Sequence, residues 1–546
     1  MFARTKESGK YEYLQIVENR KIKGKVVQRV VATLGRMDYL KEKKRIEVLI
    51  QSLARYSEKV LLILSGKSDA STTARKIGPS LVFERLWEEL GIKKVLKKLL
   101  WGRKYGFDVE RALFLTVLHR LFVSGSDRFC EKWRKDYVIQ GVRDISLHHL
   151  YRAMTFLGKP TEDQKDATPF AVRCMKDQME EGIFFERRDL FTGLDLVFFD
   201  TTSIYFEGEG GETLGQKGYS KGHRPDLNQV VVGVVIDTNG KPVCCEIWPG
   251  NTADVKTLIP VVARIRGRFH IGQFCIVADR GMISAETLKE LDERKIPYIL
   301  GARMRRVTGI KEDVLSHPGQ YQEVYPEGKS SKDPAPLKVK EVSTGGSRYI
   351  VCYNSRQARK DAQDRQAIIN SLQEKIKSGP KNLIGNKGYR KYLKIDRDSV
   401  SIDQKKIEDE SRFDGTWVLS TNTNFSADQV AIKYKELWQV EQVFRDVKSV
   451  VDTRPVYHQR DENITGHIFC SFLALVLRKE LDRRLEKCGH SFEWVDIKQD
   501  LKSLQEVVIE DNGKSLALRT ECIGTCGKVF QAVGVAIPPT IREVKT

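Results

Sequence analysis

The chain has 546 residues, with 93 Lys and Arg against 73 Asp and Glu, a net charge of +20 and a pI near 9.3. Hydrophobic residues make up 40% and charged residues 30%, so large cores can be buried and a disordered polycation is excluded. No apolar run reaches the roughly 18 residues of a membrane span, and MFARTKESGKYEY lacks the character of a secretory signal. At about 150 residues per domain, the length fits three to four domains. These features describe a basic cytoplasmic protein with nucleic acid as its leading partner. The ten cysteines are expected to stay reduced. Only Cys522 and Cys526 stand at metal-ligand spacing, and no second pair follows, which argues against structural zinc.

The first 50 residues hold thirteen Lys or Arg against six Asp or Glu. β-Branched clusters at 11–17 and 26–34 predict two strands joined by a basic turn over 19–25. That hairpin is either a phosphate contact or a solvated turn, and its residues favour neither. From about 40 to 157 the periodicity is helical. Leu81, Leu86, Leu90, Val95 and Leu96 recur at helical spacing, as do Val109, Leu113, Val117 and Leu121. Ser146 caps a helix over 147–154, which fits either a recognition helix of a helix-turn-helix or one member of a bundle packed on the main domain. His148 and His149 are expected at its cap or surface rather than on a metal.

A different texture begins near residue 194. Runs over 196–199, 229–236, 242–247, 274–278 and 297–300 predict strands, and the first two have the apolar character of strands buried on both faces. Asp237-Thr238-Asn239-Gly240 turns the second strand into the third. Helices are predicted over 257–265 and 284–291. Three strands, a helix, a strand, a helix and a strand make a mixed α/β sheet of the ribonuclease H type. Residues 303–414 read as a partly β insertion, with a Lys-, Ser-, Pro- and Gly-rich stretch at 326–346, a strand at 349–353 and a charged helix at 357–377. The domain resumes with a strand over 416–420 and a long helix from Ser426, which forms a capping box with Gln429. His458 and His467, near the helical region 464–481, read as structural or DNA-facing.

Asp200 ends the first strand of this sheet and Asp279 the fourth. Those strands are neighbours in such a fold, so both carboxylates face one cleft. Buried acids repel unless a divalent cation neutralises them, and Mg²⁺ prefers such oxygen ligands while keeping waters. A third ligand is expected from the helix beginning at Ser426. Tyr434, Glu441 and Lys448 fall seven residues apart, about 20° short of two full turns, and therefore share one face. Val440, Val443, Phe444, Val447 and Val451 form an apolar stripe beside them. Glu441 then suits a metal, Lys448 a phosphate and Tyr434 a hydrogen-bond acceptor on the ligand. Neither GxxxxGK[ST] nor GxGxxG occurs, so ATP and dinucleotides are not expected.

Five segments together resemble the DDE transposases of bacterial insertion sequences, in the IS-four superfamily and closest to its sixteen-thirty-four branch. They are FFDTTSIYF at 198–206, GYSKGHRPDLNQVVVGVVID at 218–237, PGNTADVKTL at 249–258, VADRGM at 277–282 and YKELWQVEQVFRDVK at 434–448, in the family's order. The resemblance implies a metal-binding triad of Asp200, Asp279 and Glu441, with Tyr434, Arg445 and Lys448 on DNA. Leu437 stands where the family's signature has Arg, and Arg445 is the replacement within reach. Two Mg²⁺ ions about 3.5–4 Å apart are implied, with Mn²⁺ as substitute. Water would free a 3′-hydroxyl at an element end, and that hydroxyl would then attack the opposite strand or target DNA. The implied partners are double-stranded DNA (terminal inverted repeats and target) and a second copy in a synaptic complex; the implied location is the bacterial cytoplasm and its nucleoid. The family's insertion helps hold the transposon end and can present a Trp to an extruded base, but Trp417 fits core better.

The expected organisation is a basic N-terminal region (1–40), a helical region binding DNA ends (41–190), a ribonuclease H-like catalytic domain in two parts (191–302 and 415–485) split by the insertion (303–414), and a C-terminal region (486–546). Two competing functions remain: a ribonuclease H-like nuclease without strand transfer, and a non-catalytic DNA-binding descendant of a transposase.

Overall fold

The computed structural model describes residues 2–22, 25–42, 45–46, 74–123, 125–168, 171–187, 195–221, 224–271, 274–305, 310–325, 337–378, 391–396, 399–449, 456–511 and 514–544. The chain forms two compact units: Met1–Arg85 with Lys132–Gln140 and Leu481–Thr546, and Leu86–Glu131 with Gly141–Glu480. Among the described residues no helix is long and apolar enough to cross a membrane.

In the first unit, β1 (Phe2–Ser8), β2 (Tyr11–Ile22) and β3 (Lys25–Arg36) form an antiparallel meander. The expected hairpin thus gains a strand, and most of its basic turn becomes ladder: Asn19 faces Gln28 and Ile22 faces Lys25. Lys23 and Gly24 of that turn lie outside the described residues. A second sheet pairs β4 (Ala74–Lys76) with the C-terminal strands Gln505–Asp511, Lys514–Arg519 and Ile541–Val544. Cys526 is buried beside Cys522, and among the described residues neither joins a group of three metal donors.

The second unit is built on one nine-stranded sheet. β5 (Leu196–Tyr205), β6 (Gln229–Asp237) and β7 (Pro242–Pro249) are antiparallel, and β8 (Cys275–Ala278) and β9 (Tyr298–Gly301) run parallel to β5. The order β7-β6-β5-β8-β9 is that of a ribonuclease H-like fold. β5 and β6 are buried almost throughout, as strands covered on both faces must be. One face carries Val197, Phe199, Ile276, Ala278 and Leu300, packed with Leu258, Val261 and Ile265 of the helix Leu258–Phe269. The other carries Ile204, Val230 and Val232, packed with Ile464 and Ile468 of the long helix Asp461–Lys487.

Part of the 303–414 segment widens the same sheet. β10 (Gln322–Val324), β11 (Leu337–Thr344) and β12 (Ser347–Tyr353) join it through β15 (Thr416–Thr421), which pairs with β9. β13 (Leu393–Asp396) and β14 (Ser399–Ile402) form a separate pair, packed with Leu372 of the helix Ser355–Ser378. Residues 326–336 lie outside the described set. Trp417 is a half-buried strand residue of β15, opposite Cys352.

The helix capped by Ser146 spans Leu147–Gly158, and His149 completes its capping box. It packs backbone to backbone on the long C-terminal helix: a Cβ on Gly158 would strike the Glu462 carbonyl, and one on Gly466 the Met154 carbonyl. Thr155 Oγ1 also donates to Asn463 Oδ1 at 2.5 Å. These contacts favour the bundle over a free recognition helix.

Candidate active site

Strand register brings the two aspartates together. Phe199 is the last β5 residue paired with β8, opposite Ala278, and Asp200 and Asp279 follow one step later on the same side of the sheet. Asp200 does not end β5, however. Thr201 to Tyr205 continue the ladder with β6, because this antiparallel partner runs on after the parallel one has stopped. Asp200 therefore sits within a strand, gripped by a full antiparallel ladder, and Asp279 stands on the loop beside it. Arg303 secures that loop by donating to the carbonyls of Arg280 and Gly281, both at 3.0 Å.

Two residues absent from the expected site complete the acidic cluster. Asp254 Oδ1 accepts from Thr201 Oγ1 at 2.7 Å, and Lys221 Nζ lies 3.0 Å from Asp254 Oδ2. The same ammonium donates to the Thr201 carbonyl at 2.7 Å and its hydroxyl at 2.8 Å, and stands 3.9 Å from Asp200 Oδ1. Burial pushes the Asp200 carboxyl up to about 6; Lys221 and the Thr201 N–H pull it down, while Asp279 and Asp254 repel its charge. Lys221 and Asp254 both lie inside conspicuous sequence segments, GYSKGHRPDL and PGNTADVKTL, and that was the available signal.

The predicted long helix is two. Ala427–Lys435 and Trp438–Ser449 meet at Glu436 and Leu437, where the backbone tightens: Leu437 N bonds Tyr434 O, and Gln439 N bonds Glu436 O, both at 3.0 Å. Such i→i+3 bonds advance the chain faster per residue than an α-helix. The seven-residue phase linking Tyr434 to Glu441 is therefore lost. Tyr434 turns inward, its hydroxyl donating to Asp279 Oδ1 at 3.2 Å, and burial together with that carboxylate raises its pKa well above the usual phenol. Gly301 makes the reach possible, since a Cβ there would lie 2.5 Å from the Tyr434 oxygen.

Glu441 is exposed, 3.8 Å from Arg445 of its own helix. Among the described residues, Asp200, Asp279 and Glu441 do not form a set with ligand atoms all within 4.8 Å of one another. The structure thus unites two of the three expected ligands and leaves the third on solvent. Val440, Val443 and Phe444 are buried as expected, and so is Leu437, at the position where Arg was anticipated. Lys448 falls within its helix, but its side chain, like those of Val447 and Val451, lies outside the described residues.

The donors of Asp200, Asp279 and Asp254 are all hard oxygens, the set Mg²⁺ takes. Burial first and then the repulsion of Asp279 and Asp254 raise the Asp200 pKa, and a bound cation offsets both. Next to Asp279 opens a cleft of about 450 Å³ lined by Tyr219, Arg280, Arg303 and Arg305. Asp127, His458 and His467 form a different cluster, with the two ring nitrogens 3.2 Å apart. Its cation is already present: Arg120 lies 2.8 Å from His467 Nδ1 and 3.6 Å from Asp127, so the cluster ties helices together.

Residues 192–477 match the family described as Transposase DDE domain, and residues 2–68 match the IS1634 family transposase, N-terminal domain. No curated protein matches the chain. Among solved structures it is similar to a piggyBac transposase synaptic complex with hairpin DNA, determined by cryo-EM, at 10% identity and a TM-score of 0.35, over 78% of this chain and 80% of that one.

Proposed function

The chain belongs to the DDE transposases of the IS1634 family, and from that premise we propose that it cuts DNA at the ends of an insertion sequence and joins the freed 3′ ends to target DNA. Members of this family are DNA-cleaving enzymes that use divalent metal. In this reading Asp200, Asp279 and Glu441 hold the cation, two Mg²⁺ or Mn²⁺ ions in the full site. When bound, such ions activate the attacking oxygen and stabilise the leaving one at phosphorus. The observation that carries the reading is the pair Asp200 and Asp279, adjacent on β5 and after β8, with Asp200 desolvated and facing further negative charge.

The chain's own residues supply the rest. Tyr434 fixes the orientation of Asp279 through its hydroxyl. Arg303 holds the Asp279 loop from behind, and Arg280 and Arg305 line the adjoining cleft, where a phosphate backbone finds cations. Glu441 lies on a helix that rests on β5 and β6, the strand of Asp200 and its neighbour. To join the two aspartates it leaves Arg445, an exposed pairing worth little in water. Arg445 and Lys448 then serve the DNA, and a second copy completes the synapse.

Purified protein, Mg²⁺ and a duplex carrying the element's terminal repeats test the proposal. Nicking at the repeat boundary followed by strand joining is expected, with Asp200→Ala abolishing both while end binding persists. Cleavage at the wild-type rate in that variant would overturn the triad. Nicking without joining would favour the ribonuclease H-like nuclease, and end binding without nicking a non-catalytic descendant.

A further inference from the structure

Lys221 is not placed as a surface lysine. An ammonium has three protons to donate, and the Thr201 carbonyl, the Thr201 hydroxyl and Asp254 Oδ2 take them at 2.7, 2.8 and 3.0 Å. Its backbone N–H is tied as well, donating to Ser203 Oγ of β5 at 2.9 Å. Thr201 closes the arrangement: its hydroxyl accepts from Lys221 and donates to Asp254 Oδ1 at 2.7 Å, while its N–H donates to Asp200 Oδ1 at 2.7 Å. Only about a quarter of each of the three charged side chains is exposed, so their charges act on one another through little water.

We propose that Lys221 is the acidic site's resident counter-ion, a positioning residue that holds Asp200 and Asp254 in place and competes with the divalent cation for them. The inference rests on the reading of Asp200 and Asp279 as metal ligands and adds a regulation of that site. A divalent ion arriving at Asp200 meets a positive charge 3.9 Å from the carboxylate oxygen, and like charges at that range oppose each other. DNA changes the balance. Its phosphates offer the ammonium another anion, and Lys221 can exchange a carboxylate for a phosphate without going unpaired. Metal and DNA then bind with positive coupling, and by linkage each favours the other to the same degree. The site stays poorly loaded until a substrate is present, which limits stray cutting.

The test measures Mn²⁺ binding to the full chain without DNA, from the electron paramagnetic resonance signal of the free ion. Lys221→Met is expected to bind Mn²⁺ about tenfold more tightly than wild type at low salt, as expected for removal of a like charge at this distance. Lys221→Gln, which keeps two hydrogen-bond donors for Thr201 and Asp254 without the charge, is expected to do the same and covers the case in which the Met variant fails to fold. Lys221→Arg is expected to stay near wild type. A purely structural lysine would leave affinity unchanged or lower it in both neutral variants, and either result overturns the inference. Asp200→Asn and Asp279→Asn separate this from the reading beneath it: both are expected to weaken Mn²⁺ binding. If neither does, the catalytic-site reading fails and takes the Lys221 inference with it. If both do while Lys221→Gln binds like wild type, only the role of Lys221 is lost.

Discussion

An ionised carboxylate at Asp200 costs the metal-free protein free energy, because burial and two neighbouring acids oppose its charge while Lys221 offsets only part of it. Burial pushes its carboxyl up to about 6 in the folded chain, from an ordinary 3.8. Between those values the folded state binds more protons than the unfolded one, so stability falls as pH rises through that window. Above it the full cost is present, at most about 3 kcal/mol from roughly 1.36 kcal/mol per unit. Asp200→Asn removes the charge and keeps the shape. Without metal, that variant is expected to melt above wild type at neutral pH, with the advantage shrinking as pH falls towards about 4.5. Calorimetry across that range checks it, and a variant less stable at neutral pH would show that the carboxylate is satisfied where it sits. A residue kept for a proposed function at a cost to its own fold fits the familiar trade between activity and stability.

At the scale of elements, what could be read in the sequence was what short-range pattern determines. Runs such as 229–236 were legible as strands because both faces are buried, and β6 fills them almost to the residue. Asp200 and Asp279 were legible because each stands at the end of such a run. Lys221 and Asp254 were not, since nothing local says that a lysine after Ser220 returns to Thr201, twenty residues back. The break after Tyr434 was equally hidden: Glu436 and Leu437 are ordinary helix formers, with no Pro or Gly to mark a change of pitch. A large buried ionic group is equally invisible in the sequence. Arg268 is fully buried and meets Glu180, Asp177, Glu181 and Glu246, while Arg264 meets Asp177 and Glu246, and Lys176 meets Asp177 and Glu180. These side chains join the helices Met175–Arg187 and Leu258–Phe269 to β7, behind the sheet that carries the candidate site. Removing one partner leaves buried charges uncompensated. Arg268→Met is accordingly expected to cost about 3–5 kcal/mol in urea unfolding, and a loss below about 1 kcal/mol would mean that the remaining cations suffice.

For the whole molecule, the net charge of +20 has to be reconciled with a candidate site that is locally acidic. Cations suited to DNA need not stand among the acids proposed to cut it, and the sequence separates the two: thirteen Lys and Arg against six Asp and Glu fall in the first 50 residues, far along the chain from Asp200. The matched N-terminal domain, residues 2–68, contains that excess. Within it Lys6, Lys10 and Arg29 are exposed on or beside the meander β1–β3, and Arg29 stands 3.9 Å from Glu18. Phosphate contacts release counter-ions, so the logarithm of affinity falls with the logarithm of salt by about 0.9 for each phosphate neutralised. If the meander lies on the duplex, Lys6→Ala, Lys10→Ala and Arg29→Ala together are expected to make that slope shallower by about two to three. Affinity at low salt falls with it, for any duplex sequence, because these contacts position DNA without reading bases. Fluorescence anisotropy from low to moderate salt measures the slope, and thermal melting verifies that the meander remains folded. An unchanged slope in a folded triple variant would move the DNA off this sheet and onto the cations of the second unit, beginning with Arg280 and Arg305 beside Asp279.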